Sequence, residues 1–401
     1  MLTYRRAIFV ALGLITVFLL VRSQQQPSKP SIHDHQFKSA EQLPRPTLHL
    51  PTGGSAGSTP TSALSSPNDY SSSSADRRPR PQIPLSELNG KPLRSQLALR
   101  FPYDVTAKFP AYIWQTWKVS PASGDFPEEF RDFEISWTVQ HPGFVHEVIT
   151  DDAAIHILRH LYSGIPSVVT AYESLPLPVL KADFFRYLIL LARGGIYTDI
   201  DTTALKPAFQ WVPDSVDRAS YGLIIGIEAD PDREDWADWY ARRIQFCQWT
   251  IQSKPGHPIL REIVANITEE VLARKAAGTL HRPRTKEDDG VMELTGPGIW
   301  TDKIFEYFND AEYFDIEKSK VEGGNITWQH FTGMTAAKKV GDVVVLPITS
   351  FSPGVQQMGA EEPDHPMAFV HHQFEGEFGV PYEPHPGEYA ADDDIGTWKG
   401  D

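Results

Sequence analysis

The chain has 401 residues, 37 Lys and Arg against 52 Asp and Glu, a formal net charge of −15 and 41% hydrophobic residues. That is enough apolar material for a sizeable core, which excludes wholesale disorder. The charge is uneven. Residues 1–100 carry 12 basic and 5 acidic side chains, and residues 101–401 carry 25 and 47, a net of −22. So acidic a region repels phosphate backbones, which argues against nucleic acid as a partner. One cysteine, Cys247, excludes an intramolecular disulfide and a cysteine-clustered zinc site. Any metal here must be held by oxygen and imidazole.

In chain order, residues 1–6 end in Arg5-Arg6 and precede the uncharged run 7–21, AIFVALGLITVFLLV, closed by Arg22. Fifteen residues at helical rise fall short of a hydrocarbon core of about 30 Å unless flanking residues snorkel. A cleaved signal peptide is the competing reading, but no A-x-A-like site follows Val21. The reading adopted is a signal-anchor with a cytosolic tail at residues 1–6, which places everything later in a lumen. Residues 22–100 are expected to form a disordered stem. Within them, residues 51–81 hold nine Ser, five Pro and three Gly, too little apolar surface to fold. Arg77, Arg78 and Arg80 belong to that solvated linker. Two N-x-[ST] sequons, at Asn266 and Asn325, are compatible with a lumen.

The folded domain is expected over residues 101–382, with an acidic tail over 383–401. Strands are predicted at Pro110–Trp114, Phe144–Ile149, Tyr221–Ile227 and Val343–Leu346. Helices are predicted at Pro127–Val139, Leu180–Ala192, Asp235–Gln252 and His257–Lys275. This alternation indicates an α/β architecture.

The segment 180–207 concentrates the chemistry. Phe184, Leu188 and Leu191 recur at helical spacing, and Gly194-Gly195 supplies a stop. Asp183 and Arg186, at i and i+3, share a helix face; taken alone, they read as a surface ion pair of little worth. Over Ile196–Asp201 the period is two, so Tyr197, Asp199 and Asp201 point one way. Two carboxylates about 6–7 Å apart at the backbone suit one hard cation, magnesium or manganese, on a diphosphate. A paired-carboxylate glycosidase is the other possibility, although its carboxyls usually face each other across the sugar.

The block Asp183-x-x-Arg186, then Gly-Gly-Ile-Tyr197-x-Asp199-x-Asp201, resembles the DXD-containing glycosyltransferases, which include the large clostridial glucosylating toxins. Further blocks are Phe109–Lys118, Ile227–Asp232, Arg243–Pro258 and Leu294–Asp302. With these the chain resembles, over residues 105–380, the fungal initiation-specific α-1,6-mannosyltransferases. The resemblance implies a type II Golgi membrane enzyme with a GT-A-like fold. It would transfer mannose from GDP-mannose, with manganese or magnesium, onto N-linked high-mannose glycans, retaining configuration. Alternatives are a related hexosyltransferase acting on another glycan or a glycolipid, or a weakly active subunit of a mannan-polymerising complex.

Carried over by position, the resemblance gives Asp183 and Arg186 contacts to ribose, sugar or phosphate. Tyr197 would lie beside the nucleotide, Asp199 on ribose or sugar and metal, and Asp201 on the metal. Trp114 would stack on guanine or pack in the core. Trp236, Trp239 and Trp249 read as core or acceptor wall. The family's C-terminal His-x-x-x-Gly-Ser-Trp stands here as His372-Gln-Phe-Glu-Gly376-Glu377-Phe378, and the acidic Glu377 is electrostatically unhelpful beside a diphosphate. His372 is the expected metal or phosphate contact, with His371 its rival. Glu228, Asp230 and Asp302 are candidates for acceptor binding or base chemistry, since loops at strand ends are where α/β sites form. Asp392–Asp394 read as solvated.

Overall fold

A computed structural model describes residues 88, 90–231, 233–238, 240–280, 290–310, 312–313 and 324–373. The chain divides into Met1–Arg77 and Arg78–Asp401. The expected tail, anchor and most of the stem lie outside the described residues, as do Asp232, Trp239, Gly376, Glu377, Phe378 and Asp392–Asp394. Among the described residues no helix is long and apolar enough to cross a membrane.

Folded structure starts earlier than Phe101. Helix α1 (Leu93–Arg100) buries Leu97 completely, and Arg94 bridges Glu262 at 2.6 Å and Glu269 at 2.9 Å. These last stem residues therefore belong to the domain. The helices that follow are α2 (Arg131–Gln140), α3 (Asp151–Leu161), α4 (Pro166–Ser174), α5 (Pro178–Arg193), α6 (Pro258–Ala276), α7 (Gly290–Leu294), α8 (Pro297–Phe308) and α9 (Ile348–Phe351).

The main sheet is built from β1 (Tyr112–Trp117), β2 (Val145–Thr150), β3 (Gly195–Thr198), β5 (Leu223–Ala229), β7 (Thr250–Ser253), β8 (Lys338–Val340) and β9 (Val343–Leu346). Its order is β2-β1-β3-β7-β5-β9-β8, with β6 (Gln245–Phe246) paired to β5. The pairs β1–β2, β1–β3 and β5–β9 are parallel, and β7 runs antiparallel to both β3 and β5. A separate ribbon pairs β4 (Thr202–Ala204) with β10 (Val370–His372).

Period two sends alternate residues into two cores. Trp114, Tyr197, Leu223, Ile225, Val343 and Val345 join the core packed with α5 and α6. Ile113, Ile196, Ile224, Val344 and Leu346 join a second with Trp137, Trp211 and Phe351. The mixed, helix-flanked sheet is the expected α/β architecture.

Helix α5 starts with Pro178 at its first turn and is apolar on nearly every side, as a central helix must be. It stops at Gly194 (φ 66°), and Gly195 has φ 99°. A Cβ at Gly194 would sit 2.7 Å from the Ser253 carbonyl oxygen, and one at Gly195 would sit 2.6 Å from that of Tyr112. The double glycine is what lets the chain enter the sheet between β1 and β7.

The helix expected over Asp235–Gln252 does not form. That stretch holds a short 3₁₀ turn at Trp236–Asp238, then β6 and the first residues of β7. Pairing of β7 with β3 and β5 overrides the local pattern. Trp236 is half-buried in that turn, and Trp249 is buried just before β7.

Candidate active site

Strands β1, β2, β3, β5 and β9 all point their C-terminal ends to one edge of the sheet, the edge where open α/β sheets form sites. There β3 ends at Thr198, so Asp199-Ile200-Asp201 forms a turn and does not continue the strand as its alternation suggested. The cause is a cluster of hydroxyls. Thr198 Oγ1 lies 2.7 Å from Thr202 Oγ1 and 2.8 Å from Thr250 Oγ1, and Thr202 donates to the Asp199 carbonyl at 2.6 Å. These contacts fold the chain back into β4. The two carboxylates still converge, by way of the turn.

The β4–β10 ladder sets His372 opposite Thr202. His372 Nε2 lies 3.4 Å from Asp201 Oδ1, and one ligand atom from each of Asp199, Asp201 and His372 falls within 4.8 Å of the others. His371 turns aside, its Nδ1 3.1 Å from the Gln373 amide. The Gln373 N–H donates to the Asp201 carbonyl at 2.9 Å, and the Trp249 and His372 rings lie 4.6 Å apart.

Asp183 and Arg186 are not a surface pair; each is only 2% exposed. Arg186 Nη2 lies 3.1 Å from Asp183 Oδ1 and 3.2 Å from Asp199 Oδ1, with its guanidinium 5.1 Å from the centre of the Tyr197 ring. Asp183 also accepts from Thr295 Oγ1 at 2.8 Å, and Asp199 from the Tyr197 hydroxyl at 2.8 Å. Behind them, the Tyr187 hydroxyl donates to Gln248 Oε1 at 2.6 Å.

Burial pushes the Asp183 and Asp199 carboxyls above the ordinary range, against the pull of Arg186. Burial would lower Arg186, but Asp199, Tyr197 and Asp183 outweigh it and hold the guanidinium charged. Burial brings His372 down to about 4, leaving it neutral and fit to ligate.

Asp183 and Asp199 share the one Arg186 guanidinium, and Asp201 adds a further carboxylate beside Asp199. Two oxygen ligands and one imidazole converge on the surplus negative charge. That donor set fits a hard or borderline divalent cation.

The other expected residues lie elsewhere. Trp114 is 8% exposed, donates from its indole to the Gly194 carbonyl at 2.9 Å and stacks on Tyr112, which is a core position. Glu228, at the end of β5, accepts from Gln245 Nε2 at 3.2 Å. Asp230 is filled by Arg243 (2.8 Å), Thr332 (2.8 and 3.0 Å) and the Gly333 N–H (2.7 Å). Asp302 is gripped by Arg242 at 2.6 and 2.5 Å, and the same Arg242 holds Glu293. None of these belongs to the three-residue cluster.

Sequence reasoning missed Gln115, His146, Gln248 and Thr295, and it read Trp249 as core or acceptor wall without its contact to His372. A buried glutamine inside YIWQTW was the one available signal.

A family model described as the glycosyltransferase sugar-binding region containing the DXD motif matches residues 127–217. Three relatives are named initiation-specific α-1,6-mannosyltransferase. The Candida albicans protein is 50% identical, over 71% of this chain and 76% of its own. The Saccharomyces cerevisiae protein is 38% identical, over 71% and 81%. The Schizosaccharomyces pombe protein is 45% identical, over 67% and 64%. Proteins with this motif generally pair a divalent metal with a nucleotide-sugar donor, as the donor set above would allow. On this shared sequence, spanning the helix, the glycine stop and the carboxylate turn, the chain belongs to the initiation-specific α-1,6-mannosyltransferases, a family of DXD-containing hexosyltransferases.

Proposed function

We propose that the chain transfers mannose from GDP-mannose, with retention, in α-1,6 linkage onto N-linked high-mannose glycans, on a GT-A-like domain. The observation that carries this reading is the convergence of Asp199, Asp201 and His372 beside the buried Asp183–Arg186 pair. Asp201, Asp199 and His372 are the ligands for Mn²⁺ or Mg²⁺. A bound ion would neutralise the donor's diphosphate as it leaves.

Arg186, fixed by two carboxylates, presents its remaining donors to sugar, ribose or phosphate oxygens. Asp183 accepts from sugar hydroxyls, and Tyr197 holds Asp199 in register. Trp114, its indole held on the Gly194 carbonyl, serves the nucleotide side only as a wall. Glu228, with the Asp230–Arg243 and Asp302–Arg242 pairs, marks the acceptor side, where paired charges orient hydroxyls more readily than they remove protons.

The enzyme is read as a type II Golgi membrane protein with its domain in the lumen. A place in a larger mannosyltransferase assembly is part of the same reading.

The test uses the full-length chain with GDP-mannose, Mn²⁺ and a defined high-mannose acceptor. Wild type should form an α-1,6-mannosylated product, and Asp201→Ala should lose at least a hundredfold in rate. Absence of product from wild type across several nucleotide-sugar donors refutes the reading. Full activity in Asp201→Ala refutes the role given to the turn.

A further inference from the structure

We infer that Gln115 and His146, neither of which bonds to a ligand atom of the cluster, are positioning residues that set the Asp199 turn for metal binding. This rests on the reading of Asp199, Asp201 and His372 as metal ligands. Gln115 is fully buried on β1, on the face opposite Trp114. Its amide Nε2 donates to the Asp199 backbone carbonyl at 3.0 Å, and its Oε1 lies 2.8 Å from His146 Nε2. An amide oxygen only accepts, so His146 Nε2 carries the proton and Nδ1 accepts. Thr138 Oγ1, 2.9 Å from Nδ1, is the matching donor, and Glu134 Oε1 lies 3.5 Å from the same nitrogen.

A hydrogen-bonded line thus runs from α2 across β2 and β1 to the turn. Asp199 is held from both faces of the sheet. Tyr197 and Arg186 take its carboxylate on the α5 side, and Gln115 with Thr202 takes its carbonyl on the α2 side.

Packing alone does not call for glutamine here. A leucine or methionine would fill a fully buried strand position, whereas an amide costs free energy unless both its ends are bonded. Both ends are bonded, and one reaches a backbone atom of a residue that offers a ligand to the cluster. Removing the amide leaves the Asp199 carbonyl on Thr202 alone and lets the turn rotate. The carboxylate then meets Asp201 and His372 in a wider range of geometries, and a hard cation that needs defined oxygen positions binds less tightly.

The experiment measures Mn²⁺ affinity of the full-length protein by electron paramagnetic resonance of the free ion, together with melting temperature. The variants are Gln115→Met, His146→Phe, the double variant, and Lys254→Met as a control. Lys254 is a buried lysine at the opposite edge of the sheet, bonded to the Val105 and Arg218 carbonyls.

Gln115→Met should weaken Mn²⁺ binding about three- to tenfold, the size of one buried hydrogen bond. His146→Phe should do the same, and the double variant should add little, as expected of groups acting in series. Lys254→Met should lower the melting temperature with Mn²⁺ affinity unchanged. Unaltered Mn²⁺ affinity in Gln115→Met, or an equal loss in Lys254→Met, overturns the inference while leaving the metal reading intact. Failure of wild type to bind Mn²⁺ overturns both.

Discussion

Arg186→Met is the substitution whose consequence the structure defines most closely. The guanidinium is enclosed, with one nitrogen 3.1 Å from Asp183 and 3.2 Å from Asp199. Methionine fills much of the volume but leaves the buried Asp183 and half-buried Asp199 carboxylates without a counter-charge. Breaking one buried pair costs about 3–5 kcal/mol, and a second orphaned carboxylate puts the loss at the upper end of that range at neutral pH. Both carboxyls are already raised by burial, and Arg186 is the group that opposes the rise. In the variant they rise further and take up protons in the folded state. A carboxyl whose folded pKa exceeds its unfolded one binds more protons when folded. The variant's stability is therefore greatest below the ordinary carboxylate range and falls as pH rises through the raised values. Urea unfolding at pH 7.5 and pH 5.0 measures this. The deficit against wild type should be about 4–5 kcal/mol at pH 7.5 and distinctly smaller at pH 5.0. A deficit below about 1 kcal/mol, the worth of an exposed pair, or one that does not change with pH, refutes the argument.

Gly195→Ala places a methyl group 2.6 Å from the Tyr112 carbonyl oxygen at φ 99°. It should cost at least about 2 kcal/mol in urea unfolding, and a neutral result would show that the β1–β3 junction has slack. Asp302→Ala removes a partner of Arg242 that still holds Glu293, with both pairs partly exposed. Stability should change by no more than about 1 kcal/mol, while steady-state kinetics show KM rising for the glycan acceptor and not for GDP-mannose. A change in donor KM alone would move Asp302 to the other substrate. Asn325 is exposed in an irregular segment, whereas Asn266 lies within α6 and the Thr268 hydroxyl of its sequon is buried on the Val264 carbonyl. In secretory expression an endoglycosidase shift should therefore be lost in Asn325→Gln and kept in Asn266→Gln, as read on immunoblots; the reverse pattern would reject the argument.

Much of this arrangement was written in local sequence. Helix α5, its glycine stop and strands β1, β2, β5 and β9 follow from periodicity and turn chemistry within windows of about a dozen residues. The carboxylates of the turn were found by spacing, although the strand on which that spacing was computed ends three residues early. Thr198, Thr202 and Thr250 decide the ending, and Thr250 comes from β7, 52 residues beyond Thr198. The same separation hid the surroundings of Asp183 and Arg186. Spacing of i and i+3 cannot tell a solvated face from one covered by Thr295 and Gln248, which arrive from later elements. Strand β7 itself was mistaken for helix because a short apolar run bounded by charged residues fits either period. Its neighbours in the sheet made the choice.

The reversed direction of β7 has a bearing on how such a scaffold diversifies. Since β5 ends and β7 begins at the same edge, the connection between them leaves from the site and returns to it without passing beneath the sheet. It carries Asp230, Arg242 and Arg243. Insertions, deletions and charge changes in its part ahead of β6 can reshape that edge of the sheet while Gln248 and Trp249 keep their contacts to α5 and the carboxylate turn. Divergence of acceptor preference among relatives that share one donor apparatus should concentrate in that connection.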